Sequence, residues 1–186
     1  AGKTNIKLIL ASDAGENVFA IIKDALYGGT AGSINLSLIG CKEIPTKGLS
    51  NWDGKLDALK SIYLPDITRI GVEGLAYCVF LEEINTPNVT SIHENAFGGC
   101  TNLQKITFGE LTEVKGLSHD YDGILDPGVN TELINLVLSE NQKVMTKNRQ
   151  GNEYFWTPTK EYYKGSVEYG STSFLEYKFN SVSFKK

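Results

Sequence analysis

The sequence predicts an α/β, β-dominated fold: a right-handed solenoid built on a parallel sheet, with an N-terminal capping helix and a C-terminal β-rich cap. Three observations predict it. One short apolar pattern is written three times at a fixed spacing across residues 59–114, an amphipathic helical stripe precedes it, and the composition turns strongly aromatic after Ser139.

Leu59, Ile62, Leu64, Ile67 and Ile70 recur as Leu81, Ile84, Thr86, Val89 and Ile92, then as Leu103, Ile106, Phe108, Leu111 and Val114. The offsets are 81−59 = 22 and 103−81 = 22. A fixed period in the twenties marks stacked coils, each too small to bury its own apolar face. Leu75 and Phe97, like Cys78 and Cys100, share slots at the same spacing and should also point inward. Ile62 and Leu64 lie two apart, so they occupy one face of a short strand while Ser61 and Tyr63 occupy the other. Stacking such strands makes a parallel sheet. Pro65 and Pro87 stop the strands because proline has no amide hydrogen for the ladder. Asp66 and Asn88 then suit turns, by hydrogen-bonding their own backbone.

The remaining elements follow in chain order. Residues 6–10 alternate as a first strand. Asp13 with Glu16 three residues on forms a capping-box-like helix start, and Val18, Ile21, Ile22, Ala25 and Leu26 make one apolar stripe. Gly28 and Gly29 end the helix, which is expected to cover the first open face of the stack. Ile34, Leu36, Leu38, Cys41 and Ile44 make an earlier coil, with 70−44 = 26. Its extra length falls in a loop over residues 45–54, whose Trp52 is expected to fold back onto the core. Residues 115–130 read as an irregular excursion, with no Ala-Phe or Cys slot to complete the third coil. Leu133, Leu136 and Leu138 read as the last strand of the sheet. Ten of the nineteen aromatics then fall within residues 154–184. Leu175, Tyr177 and Phe179 alternate there with Glu176, Lys178 and Asn180, as in a β-rich cap. The organisation is one domain, 1–186: strand and helix in 1–32, coils in 33–138, aromatic cap in 139–186.

Leu59, Ile62, Leu64-Pro65, Ile67-Thr68 and Ile70, followed by Leu81, Ile84, Pro87, Val89-Thr90-Ser91-Ile92, Asn95-Ala96-Phe97, Cys100 and Leu103, carry a resemblance to a known family. The pattern resembles the BspA-like leucine-rich repeats, found in many surface proteins of anaerobic bacteria and some protists. Two coils match in full and a third in its first half, about sixty residues in all. The resemblance implies a leucine-rich repeat solenoid and export, and it implies no catalytic residues.

Composition narrows the function. With 186 residues, 41% of them apolar, the chain can bury a sizeable core as one domain. A net charge of −4 argues against a nucleic-acid partner or a polybasic membrane patch. No apolar run approaches the roughly eighteen residues of a membrane span. The chain opens on Ala1-Gly2 rather than Met, which reads as a mature or trimmed chain, its leader removed, for an extracellular or cell-surface location. Cys41, Cys78 and Cys100 are an odd count, not a disulfide framework. Cys78 and Cys100 should stack roughly 5 Å apart, compatible with a bridge, but inward slots suit free thiols acting as small hydrophobes.

Catalysis finds little support. A hydrolytic triad needs a histidine base, and His93 sits in a turn slot shared with Gly71 and Lys115, expected at the surface. His119 stands beside Asp120 and Asp122. Asp120, Asp122 and Gly123 open like a calcium loop, but the twelfth position is Thr131, with Glu132 one place late. Glu82 and Glu83 are adjacent on a strand and face opposite ways, unlike a glycosidase pair. The chain is therefore expected to be no enzyme, with no catalytic residue, metal or cofactor. Stacked coils instead align outward side chains: Ser61, Glu83 and Lys105 in one row, Tyr63, Asn85 and Thr107 in the next. These six are the candidate binding residues, for a protein ligand on the sheet face such as a host matrix protein, in an adhesin-like role. The alternative is a carbohydrate-binding accessory domain using exposed Trp52, Trp156, Tyr162 and Tyr163, with a glycan as partner.

Overall fold

Stacking at a 22-residue offset brings equivalent slots into register. Ile62 pairs with Ile84 and Ile84 with Ile106, while Ile70 pairs with Ile92 and Ile92 with Val114 on another side of each coil. The computed structural model describes residues 4–115, 123–140, 142, 144–147, 153–156, 173–175 and 177–185. One sheet runs β1 (Thr4–Ile9), β2 (Ile34–Ile39), β4 (Leu59–Tyr63), β6 (Glu83–Thr86), β8 (Lys105–Phe108), β10 (Asn135–Ser139) and β15 (Ser181–Lys185), every neighbouring pair parallel. A second runs β3 (Glu43–Ile44), β5 (Arg69–Ile70), β7 (Ser91–Ile92), β9 (Glu113–Val114), β11 (Val144–Lys147) and β12 (Glu153–Trp156), parallel except for its last pair. Among the described residues the third side of the coils is built of turns, which pair between coils: Leu75 N–H bonds Ala96 O at 2.8 Å and Tyr77 N–H bonds Gly98 O at 2.7 Å. The fold is a β-dominated, solenoid-like stack.

The core lies inside these three columns. Ile62, Leu64, Ile67, Ile70, Leu75 and Cys78, with their equivalents one coil on, are all buried. Each large aliphatic contributes about 1.5–3 kcal/mol by leaving water. Phe97 and Phe108 stack at 5.9 Å between ring centroids. The earlier coil joins in the expected register, Leu36 against Ile62 and Ile44 against Ile70. The three cysteines are free and buried. Cys78 and Cys100 donate to Leu49 O and Leu75 O, at 3.3 and 3.1 Å.

Polar turn residues join coils rather than closing their own turns. Asn88 Nδ2 donates to Pro65 O at 2.7 Å, and Asp66 Oδ2 accepts from Gly40 N–H at 2.8 Å. This corrects the expectation of local Asx hydrogen bonds, because in a stack the nearest unpaired backbone group belongs to the preceding coil. Thr68, Thr90 and Thr112 repeat the device, each hydroxyl donating to a carbonyl one coil back.

Other expectations are corrected at the edges of the repeat. Helix α1 (Glu16–Leu26) is N-capped by Gly15 with no side-chain cap, so Asp13 does not cap it. Its buried residues are Phe19, Ile22 and Leu26, one face at i, i+3 and i+7. Ile21, 68% exposed, looks instead onto an open groove of about 360 Å³ shared with Ile6, Leu8 and Leu10. The third coil is completed after all. Phe97 N–H bonds Ile124 O at 2.9 Å and Gly99 N–H bonds Pro127 O at 2.7 Å. That step, 124−97 = 27, exceeds the 96−75 = 21 between Leu75 and Ala96 by six residues, so an insertion hid the slots that Ile124 and Leu125 fill. Leu133 lies in a 3-10 turn, Thr131–Leu133, and is exposed; Ile134 takes the buried place. β10 is not the last strand, because β15 pairs beyond it. Leu175, Tyr177 and Phe179 are buried as expected, but Leu175 turns between β13 (Ser173–Phe174) and β14 (Tyr177–Lys178). Tyr177 Oη donates to Asp126 Oδ2 at 3.0 Å and accepts from Leu125 N–H at 3.2 Å, and burial pushes its pKa well up.

Gln142 is fully buried and serves as a strand in miniature. Its Oε1 accepts from Leu111 N–H at 2.9 Å and its Nε2 donates to Leu111 O at 2.8 Å. Gln142→Leu leaves both peptide groups unpaired in the core and is expected to lower stability by about 2–4 kcal/mol, read by urea unfolding. Phe97→Ala should cost about 3–5 kcal/mol by the same measurement.

Candidate functional site

The outer face of the seven-stranded sheet carries the two expected rows, and both run further than the repeat. Ser61, Glu83 and Lys105 are in register, continued by Asn35 and Asn5 on one side and by Asn135 and Ser181 on the other. Tyr63, Asn85 and Thr107 are in register, continued by Ser37 and Lys7, and by Val137 and Ser183. Side chains two apart on a parallel strand share a face, so the six candidate residues form one patch.

The first row is largely bonded to itself. Asn35 Nδ2 donates to Asn5 Oδ1 at 2.9 Å, Ser61 Oγ to Asn35 Oδ1 at 2.7 Å, and Lys105 Nζ meets Glu83 Oε1 at 2.7 Å. An exposed ion pair of this kind contributes only about 0–1 kcal/mol. The second row is different. Tyr63 is 41% exposed, and among the described residues Asn85 Oδ1 is buried with no hydrogen-bond partner. An orphaned buried acceptor costs about 1–3 kcal/mol. Thr107, expected to face solvent, is only 6% exposed; its short side chain lies in register between Asn85 and Val137.

The aromatic residues divide. Trp52 does not fold back onto the core: it is 61% exposed, with its ring against Tyr77 at 3.7 Å between centroids and tilted 39° to it, and its Nε1–H donated to Glu73 Oε2 at 3.1 Å. A core Trp must bury its N–H with a partner, and here the partner lies at the surface. Tyr77 was not singled out from the sequence. The available signal was that it stands one period before Gly99, an aromatic in a glycine slot. Trp156 lies in β12, where the backbone alone is described, and Tyr162, Tyr163, His119, Asp120 and Asp122 lie outside the described residues.

His93 corrects another expectation. It is 7% exposed, because the second sheet packs a charged row around it. Arg69 Nε lies 3.3 Å from His93 Nε2, and the same guanidinium bonds Glu43. Ser91 Oγ donates to Glu113 Oε2 at 2.6 Å, not to His93. Glu113 Oε2 is 3.9 Å from His93 Nε2, and Lys115 Nζ is 3.4 Å from Glu113 Oε1. Desolvation first, then the Arg69 and Lys115 charges, hold the imidazole pKa below its ordinary 6.5, against a weaker pull from Glu94 and Glu113. The Ser91 hydroxyl and the salt bridge to Lys115 hold the Glu113 carboxyl below its ordinary range despite some desolvation. Serine, histidine and carboxylate are thus close but wrongly connected for nucleophilic catalysis. Among the described residues, no group of three or more His, Cys, Asp or Glu side chains is placed to hold a metal ion.

A family described as "BspA type Leucine rich repeat region (6 copies)" matches residues 54–118. That span covers the three coils that carry the pattern. No curated protein and no solved structure matches the chain.

The buried imidazole makes stability depend on pH. The folded chain binds the His93 proton less readily than the unfolded chain, so its contribution is full above the ordinary value of 6.5 and is lost as pH falls through it. His93→Gln should therefore show a shallower fall in melting temperature than wild type between about pH 8 and pH 5.5, above the carboxylate range. Parallel curves would place the pH dependence elsewhere.

Proposed function

Because residues 54–118 match the BspA-type leucine-rich repeat family, we propose that the chain is a non-catalytic module for protein interaction. It presents the outer face of its seven-stranded sheet to a protein partner, as part of an exported or cell-surface, adhesin-like protein. The observation that carries the reading is the second row: an exposed Tyr63 beside an Asn85 acceptor with no partner of its own. Tyrosine anchors interfaces well because one end of its ring is apolar and the other hydrogen-bonds. The Asn85 oxygen is shielded from solvent, so a partner's donor would reach it only with the Asn85 side chain turned outward, which would remove the cost of the orphaned acceptor. The Glu83–Lys105 pair alongside would set orientation and rate of encounter more than affinity.

The other parts of the reading have their own support. Ser91 Oγ is committed to Glu113, which leaves the Ser91, His93 and Glu113 group without the serine–histidine bond of a triad. Phe19, Ile22 and Leu26 at one end and Phe174, Leu175, Tyr177 and Phe179 at the other enter one continuous core. This supports a single domain over 1–186, with α1 and the C-terminal hairpin as covers for the two ends of the stack. No helix of the described residues is long and apolar enough to cross a membrane. Host matrix proteins are the partners to test.

The combined variant Tyr63→Ala, Glu83→Lys and Lys105→Glu tests the face. Its charges are exchanged rather than deleted, so the melting temperature should stay close to wild type. Against a panel of immobilised matrix proteins, any wild-type binding should weaken by about tenfold or more. Retained affinity would remove this face from the interface.

A further inference from the structure

One exposed aromatic lies off the sheet face, and it is fixed in place. Trp52 is held by its hydrogen bond to Glu73 and by the tilted Tyr77 ring packed against it. The loop that carries it is held by Asn51, a buried side chain that accepts from Leu56 N–H at 2.6 Å and donates to Asp57 Oδ1 at 2.9 Å. Tyr77 sits at φ 62°, in the slot the next coil fills with Gly99 at φ 74°. A bulky residue in the left-handed region is unfavourable where glycine is not. Such strain persists where the surroundings over-determine it, and it gathers at functional sites. Gly99 also makes room for the ring: a Cβ there would lie 2.7 Å from Tyr77 Cδ1. The coil thus holds an aromatic in a strained position, against a tryptophan that is 61% exposed.

A polar groove of about 240 Å³ lies between α1 and the same loop, lined by Lys47 and by Asp53, the residue that follows Trp52. Lys47 belongs to both features, with Nζ 3.6 Å from Glu73 Oε2. The charges lining the groove balance, Lys23, Lys47 and Lys55 against Glu16, Asp24 and Asp53. They are also paired with one another: Lys23 with Asp53 at 3.4 Å and Lys55 with Asp24 at 2.6 Å. Partial burial works against ionisation of Asp53, but Lys23 and the Lys55 N–H together hold its carboxyl below the ordinary value, so it remains an acceptor.

We propose that Trp52, Tyr77, Glu73, Lys47 and Asp53 form a binding site for a neutral hexopyranosyl oligosaccharide. The C–H face of a pyranose is apolar and flat enough to lie on the indole. Its hydroxyls donate to carboxylates and accept from ammonium groups, making charge-assisted hydrogen bonds to both signs. A ligand with no net charge suits a balanced groove, whereas an acidic one would have to displace a carboxylate from its lysine. A platform already immobilised loses little entropy when the ligand arrives. This site is separate from the sheet face and stands or falls independently of it.

The test is calorimetric titration and tryptophan emission on the full chain with maltohexaose, cellohexaose and mannohexaose, and with polygalacturonate as the acidic comparison. At least one neutral oligosaccharide should bind. Trp52→Ala and Tyr77→Gly should each weaken it about tenfold, with melting temperatures near wild type, since Trp52 is exposed and glycine is what the next coil uses in the Tyr77 slot. Trp156→Phe should leave binding unchanged. No binding by any neutral oligosaccharide overturns the proposal, as does a preference for polygalacturonate or undiminished binding by Trp52→Ala. Loss of binding on Trp156→Phe, or only on substitution of Tyr63, Glu83 and Lys105, places the sugar elsewhere and overturns it too.

Discussion

Pairing between coils is the interaction on which everything else in this structure depends. A single coil of about twenty residues cannot bury enough surface to offset the entropy of ordering itself. Its backbone groups must be completed by the coils above and below, along two columns of strands and one of turns. Whatever stands at a given slot therefore meets its equivalent one period away. This explains why Ile62, Ile84 and Ile106 can repeat without variety, and why Thr68, Thr90 and Thr112 can all serve as inter-coil donors.

The same requirement makes the ends of the repeat irregular. Where the pattern stops, Leu111 still has a peptide to satisfy, and the side chain of Gln142 supplies both a donor and an acceptor. β10 still has a free edge, and β15 reaches it from more than forty residues along the chain. A stack tolerates added length in its loops because closing a longer loop costs little extra. The earlier coil still sets Ile44 against Ile70 across its 26-residue step, with one irregularity between Ile34 and Asn35, and Phe97 and Gly99 still find partners in Ile124 and Pro127 across the added residues.

Outward positions are under no such demand, and they are where the chain departs from its own repetition. The Ser61, Glu83 and Lys105 row satisfies most of its polar groups within itself, whereas the Tyr63 row exposes a ring and, among the described residues, leaves a buried acceptor unpaired. Trp52 belongs to the lengthened loop and has no equivalent in later coils, and Tyr77 occupies a slot that Gly99 fills one period on. Departures from a repeat that packing does not require are the places to look for recognition.

The sequence alone determined the stack: the spacing of Leu59, Leu81 and Leu103, and the alternation of Ile62 with Ser61 and Tyr63, specified the register, the buried slots and the two outward rows, because both follow from periodicity. Only the tertiary structure decided matters that turn on contacts between segments far apart. Asn88 bonds Pro65 rather than its own turn, His93 is enclosed by Arg69 and the Glu113 strand, Ile124 completes a coil across an insertion, and Trp52 meets Tyr77. A period can be read along a chain, but an inserted loop shifts every later number, and an aromatic pair 25 residues apart (77−52 = 25) leaves no mark until the coils stack.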